Sequence, residues 1–140
     1  TSTVPFIRAA LFTVIGVNFF LNSFFYPNLL KYQLGNTAAA VIDQQQLDKS
    51  KLVQYHIDLS RALSFYAQYI IPFKEQGALT KDDIVITKQE NLPLLQQHFP
   101  GMKTVYEGEY YGVSMLSLPF LNPATRSKEV TKYAIVKLGG

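Results

Sequence analysis

Residues 9 to 25 carry no charge, and ten of these seventeen are Leu, Ile, Val or Phe. No later stretch resembles them. From Val4 to Tyr26 the apolar segment is 23 residues long, enough to cross a bilayer with some tilt. Its polar residues do not gather into a charged face, as they would on a surface helix of a soluble protein. On an insertion scale, strong apolar residues in that number contribute roughly −3 to −6 kcal/mol. Asn18, Asn22 and Gly16 erode the gain, so the helix is a marginal solitary anchor. As one member of a bundle it makes better sense. Asn18 and Asn22 are spaced i, i+4 and can hydrogen-bond a neighbouring helix, and Arg8 can snorkel to the interface. A secretory leader and a very apolar core helix are the competing readings. The small-residue cleavage site a leader needs is not found at the right distance.

The remaining 110 or so residues are enough for one small core. Of the 13 basic and 10 acidic residues, only Arg8 lies in the first 30. The rest are well mixed, without the basic stripe a nucleic-acid interface needs. The absence of cysteine excludes disulfides, thiolate metal sites and thiol catalysis. His56 and His98 lie 42 residues apart, without metal-ligand spacing. No metal and no cofactor is implied. The chain begins with Thr1 rather than Met and is expected to be a processed product or a piece of something longer.

Pro27 is expected to break or kink the apolar helix. Gly35 reads as a helix C′ residue, and Asn36 as the N-cap of a second helix from Thr37 to about Leu47. Leu52 to Ile57 reads as a strand and Leu59 to Gln68 as a helix capped by Asp58 or Ser60. Tyr69 to Phe73 reads as a short edge strand, because Pro72 cannot donate to a ladder. Ile84 to Thr87 is a clear strand. A helix from Gln89 to Phe99 follows, with Pro93 in its first turn. Strands at Lys103–Gly108 and Lys132–Leu138 flank an aromatic stretch and an Asn122–Arg126 turn. The pattern predicts an N-terminal apolar helix, residues 1–27, and a small α/β domain, residues 28–140, whose mixed sheet has about four to five strands.

Three constellations could carry chemistry. His56 and Asp58, near Tyr55 and Arg61, put a base and an acid at a strand's C-terminal end, where α/β sheets place sites. The plainer reading is a helix cap beside a half-buried imidazole. Arg126, with Asn122 and the N–H groups around Thr125, could hold an anion. The plainer reading is an Asn-Pro turn with Arg126 paired to a carboxylate. Tyr106, Tyr110, Tyr111 and Phe120 could stack against a sugar, or simply pack on the sheet. No phosphate loop, nucleophile motif or metal cluster is present.

The run Phe24-Phe25-Tyr26-Pro27-Asn28-Leu29-Leu30-Lys31-Tyr32-Gln33, followed by Gly35 and Ala38-Ala39, resembles the junction after the last membrane helix in bacterial polyprenyl-phosphate-sugar glycosyltransferases. These are relatives of the lipid A aminoarabinose transferase and of protein O-mannosyltransferases. The spacing onward to Tyr55, Ser64-Phe65-Tyr66, Ile84–Thr87 and Phe120–Arg126 is similar to the soluble tail of such proteins, so the resemblance spans residues 20 to 138. It implies a multi-span enzyme of the inner (cytoplasmic) membrane that passes a sugar from a polyprenyl-phosphate carrier to an acceptor. This chain would be its last membrane helix and a periplasmic C-terminal domain. Its partners would be membrane lipid, the parent's other transmembrane helices and a glycan or lipid-linked sugar. The family's acidic catalytic residues lie in an early extracytoplasmic loop, and none maps to a position here. Two other classes stay open: a single-span anchored binding module without enzymatic activity, and a soluble small-molecule enzyme built on His56 and Asp58.

Overall fold

The computed structural model describes residues 3–57, 61–112 and 115–139. Its first element is one continuous helical rod, Val4–Leu30, of 27 residues. At 1.5 Å per residue the rod is about 40 Å long, more than the roughly 30 Å of a bilayer's hydrocarbon. Helix α1 (Val4–Phe20) passes through one π turn, Leu21–Phe25, into α2 (Tyr26–Leu30). Pro27 therefore does not end the helix. The π turn closes with Tyr26 N–H donating to Leu21 O, and Pro27 follows at once. Widening the helix at this point makes room for a ring that would otherwise meet the carbonyl a turn earlier.

None of α1 is buried. Phe6 is 79% exposed and Phe12 73%. The polar side chains of the rod instead turn back onto it. Thr13 donates to Ala9 O, Asn18 to Val14 O, Asn22 to Asn18 O and Asn28 to Phe24 O, at 2.8–3.1 Å. Such bonds lower the cost of placing an amide in lipid. Asn18 and Asn22 each keep the carbonyl oxygen and one N–H of the amide for a neighbouring helix.

The rod ends where Tyr32 and Gln33 N–H bond to Leu29 O and Leu30 O. Gln33 then turns extended, at ψ 104°, and α3 (Leu34–Gln44) begins. Gly35 thus lies inside a helix rather than after one, and Asn36 is an exposed helical residue rather than a cap. The reason is tertiary. A Cβ on Gly35 would sit 2.8 Å from Leu63 N and 2.9 Å from Ala62 Cβ. Close approach to α4 (Arg61–Ala67) outweighs the roughly 1 kcal/mol that glycine costs a helix.

Four strands form one mixed sheet: β1 (Leu52–Tyr55), β2 (Ile84–Lys88), β3 (Lys103–Tyr110) and β4 (Thr131–Lys137), in the order β1-β2-β4-β3. β1 runs parallel to β2, and β4 is antiparallel to both of its neighbours. β1 stops two residues earlier than expected because His56 adopts φ 46°, a left-handed conformation a strand cannot continue through. Residues 69–73 are not a strand. Their pairing is a single bridge, Gln54 to Phe73. Gln54 N–H donates to Pro72 O, Gln54 Nε2 to Ile71 O, and Lys74 N–H to Gln54 O. The segment covers the outer edge of β1, which shields that edge from foreign pairing.

Alternation along the strands gives the sheet two apolar faces. On one, Leu52, Ile84, Ile86, Tyr133 and Ile135 pack with Leu34, Ala38, Ile42 and Leu63 of α3 and α4. On the other, Val53, Tyr55, Val85, Ala134 and Val136 pack with Leu95 of α5 (Leu92–His98), helped by Leu92 and Phe99. The chain is thus a long apolar helix followed by a three-layer α/β unit with a four-stranded mixed sheet. The core starts at Leu34 and takes nothing from α1.

Candidate functional site: a cleft where the helix meets the domain

Among the described residues, the last turns of the rod are the part of it that is half-buried. Leu21, Phe25 and Leu29, spaced i, i+4, i+8, form its one half-buried stripe. Opposite them stands the short helix α6 (Leu118–Leu121), capped by the Ser117 hydroxyl accepting from Phe120 N–H. Phe120 is 2% exposed. Its ring stacks on Tyr111 at 3.9 Å and meets Tyr32 edge-on at 5.3 Å. Tyr111 N–H donates to Tyr32 O at 2.9 Å, so backbone as well as rings join the end of β3 to the end of the rod. Tyr111 Oη donates to Met115 O and approaches Ser117 Oγ at 3.1 Å, tying those two residues to the end of β3.

Arg126 completes the junction. Its Nε donates to Phe120 O at 2.8 Å and Nη2 to Leu121 O at 3.3 Å. Its guanidinium carbon lies 5.4 Å from the Phe120 ring centre and 5.6 Å from that of Tyr32, within cation–π range. Among the described residues no carboxylate pairs with it. The Asn-Pro turn is formed, without the carboxylate partner expected for Arg126 among the described residues. Arg126 is held by carbonyls and ring faces rather than by an acid. The Thr125 and Arg126 N–H groups both donate to Asn122 O, and Ala124 N–H donates to Asn122 Oδ1, so they are spent on the turn and not offered to an anion. What Arg126 retains, among the described residues, is charge and the unpaired N–H groups of a five-donor fork.

Between rod and turn lies a cleft of about 350 Å³, lined by Phe20, Phe24, Phe25, Asn28, Leu29 and Tyr32 on one side and Phe120, Leu121 and Arg126 on the other. Its floor is aromatic, and its lining residues with polar groups are Asn28, Tyr32 and Arg126. Lys31 Nζ donates to Asn28 Oδ1 at 2.9 Å, placing a second cation at the rim.

The other sequence-derived residues lie elsewhere. Tyr110 meets Tyr133 edge-on at 6.0 Å, and Tyr106 lies against the same ring at 6.0 Å. The four-ring platform is therefore divided: Tyr106 and Tyr110 pack onto the α3 side of the core, while Tyr111 and Phe120 build the junction. The Tyr133 hydroxyl is buried without a well-formed hydrogen bond among the described residues. Burial first, and the adjacent Tyr106 phenol second, push its pKa above the ordinary tyrosine range. His56 is exposed at the end of β1, 4.4 Å from the Tyr55 ring centre and 4.0 Å from Glu75. Asp58, its expected partner, lies outside the described residues.

Tyr32 and the Leu21–Phe25–Leu29 stripe are the site residues that sequence reasoning missed. The i, i+4 spacing of that stripe within an otherwise featureless run was the available signal. Comparison of the chain with protein-family models, with curated proteins and with solved structures finds no match.

Proposed function

We propose that this chain is the last membrane helix and the non-catalytic extracytoplasmic domain of an integral-membrane glycosyltransferase that moves a sugar from a polyprenyl-phosphate carrier to an acceptor. The rod lies in the inner membrane beside lipid and the parent's other helices. The α/β unit caps the periplasmic face. One observation carries the membrane part of this reading: the 27-residue rod is long and apolar enough to cross a bilayer and contributes nothing to the core of the unit it precedes. The transferase part rests on the resemblance of residues 20 to 138. Two experiments test these parts separately. Membranes expressing the chain are washed with alkaline carbonate, and protease is added from the periplasmic side. Retention in the membrane with a protected rod and an accessible domain is expected; a detergent-free soluble monomer of residues 1–140 overturns the reading. For the parent, the open reading frame upstream of Thr1 should encode further membrane helices and an acidic pair in the first extracytoplasmic loop. A start codon at or just before Thr1 removes the transferase.

A second reading is a single-span anchored binding module. It is favoured by an exposed apolar patch on and after α4, where Phe65 is 77% and Ile70 84% exposed.

A further inference from the structure

We propose that the cleft between the rod and Arg126 holds a bilayer phospholipid, its phosphodiester on Arg126 and an acyl chain along Phe20 and Phe24. The inference rests on the reading of the rod as membrane-spanning. Depth is the first argument. Counting about 20 residues of hydrocarbon-spanning helix from Val4 places the far boundary near Phe24; counting from Arg8, snorkelled to its own interface, places it near Asn28. The aromatic floor of the cleft then lies at the acyl edge, and Asn28, Tyr32 and Arg126 lie at headgroup level, where amphipathic aromatics and cations settle.

Charge is the second. Arg126 has no carboxylate partner among the described residues, and its guanidinium is already oriented by the Phe120 and Leu121 carbonyls and by two ring faces. A preoriented fork with free N–H groups suits a phosphate's paired oxygens. Lys31 at the rim adds a second positive charge; Glu129, engaged with Ser117 Oγ at 3.3 Å, is the nearby acid on the same loop. Continuity is the third. Outside the cleft lining, Leu118 on the same short helix as Leu121 is 82% exposed, and Met115, shortly before that helix, is 79% exposed. Apolar side chains so exposed at the rod's end extend its lipid-facing surface onto the domain.

The test uses residues 1–140 in detergent micelles. Native mass spectrometry reads lipid retention with palmitoyl-oleoyl phosphatidylglycerol, with the diacylglycerol of the same chains, and with undecaprenyl phosphate. Phosphatidylglycerol should be retained, and diacylglycerol at least ten-fold less. Arg126→Gln should lose at least five-fold in phosphatidylglycerol retention. Because Arg126 also braces α6, a second variant, Leu121→Trp, fills the cleft while leaving the guanidinium in place and should lose retention to a similar extent. Equal retention of diacylglycerol, or unchanged retention in both variants, overturns the phospholipid site. Stronger retention of undecaprenyl phosphate also overturns it, in favour of the carrier. A chain that stays in carbonate-washed membranes yet shows no selective retention fails here alone and leaves the membrane reading standing.

Discussion

Two parts of this molecule spend similar side chains in opposite ways. Along Val4–Phe20, Phe, Ile, Leu and Val stand exposed, and the polar residues Thr13 and Asn18 bond to their own helix. In the α/β unit, Ile42, Ile86, Ile135 and Val136 are fully buried, and the buried acid, Asp83, is paired. In water the first arrangement forgoes the hydrophobic stabilisation that the second collects. The difference teaches that the rod must find its apolar environment outside this fold, while the domain has made its own. Among the described residues the two meet through one half-buried stripe, two tyrosines, Phe120, Leu121 and Arg126.

The largest effect that sharpens this contrast is solubility. Residues 28–140 alone should be a soluble monomer with one cooperative unfolding transition, since the core begins at Leu34. Residues 1–140 should require detergent or lipid. Sedimentation and thermal circular dichroism check both, and a molten 28–140 fragment would mean that the domain borrows its core from the membrane part.

Next comes side-chain truncation. Ile135→Ala empties a fully buried site between α3 and the sheet and should cost about 2–5 kcal/mol in denaturant unfolding of the domain. Ile15→Ala, on the exposed rod, should change the same transition by less than about 0.5 kcal/mol.

Asp83 is third. Both of its oxygens lie 2.9 Å from Lys74 Nζ, and Oδ2 also accepts from Thr80 N–H at 2.8 Å. Burial raises its pKa, but Lys74 and Thr80 together outweigh burial and hold it below the ordinary carboxylate value of 3.8. Because the folded pKa is depressed, the stabilisation is complete above the unfolded pKa and is lost as pH falls through the folded one. Asp83→Asn should therefore cost about 2–3 kcal/mol at neutral pH and flatten the stability profile below about pH 4. Unfolding curves collected from pH 2 to 7 check both.

The smallest loss within the domain is at Gly35. Gly35→Ala forces a methyl against Leu63 N and Ala62 Cβ and should cost about 1–2 kcal/mol despite alanine's higher helix propensity. Thermal melts of the 28–140 fragment would measure it. A gain in stability would mean that α3 and α4 lie further apart.

What was legible in the chain follows the range of the interaction. Ile84–Thr87 and Lys132–Leu138 announce strands by their apolar content, and both stand within a residue of their expected bounds; Pro93 with Leu92, Leu95 and Phe99 announces α5, which starts three residues later than expected because Gln89–Asn91 form a 3-10 turn. Gly35 misleads because its partner, α4, is remote in sequence, and local cap chemistry carries no trace of a helix crossing. Residues 69–73 have strand composition but lack a full ladder, since Pro72 has no N–H to give. The π turn at Leu21–Phe25 answers Pro27, whose presence implied a break or a kink. At the site, Asn122–Arg126 was legible as a turn and Arg126 as its cation. That Arg126 would lie against Tyr32 was not, because only the fold brings β3, α6 and the rod's end together. Tyr110 and Tyr111 read as one platform, yet consecutive residues at a strand's end face opposite ways.

The absence of cysteine makes each introduced thiol unique. The most direct measurement is electron paramagnetic resonance accessibility of single spin labels at Phe12→Cys and Lys103→Cys, with the chain reconstituted in liposomes. The label at position 12 should collide readily with dissolved oxygen and be shielded from a water-soluble nickel chelate, while the label at position 103 shows the reverse. Free access of the chelate to position 12 would contradict a lipid-embedded rod and an independent domain.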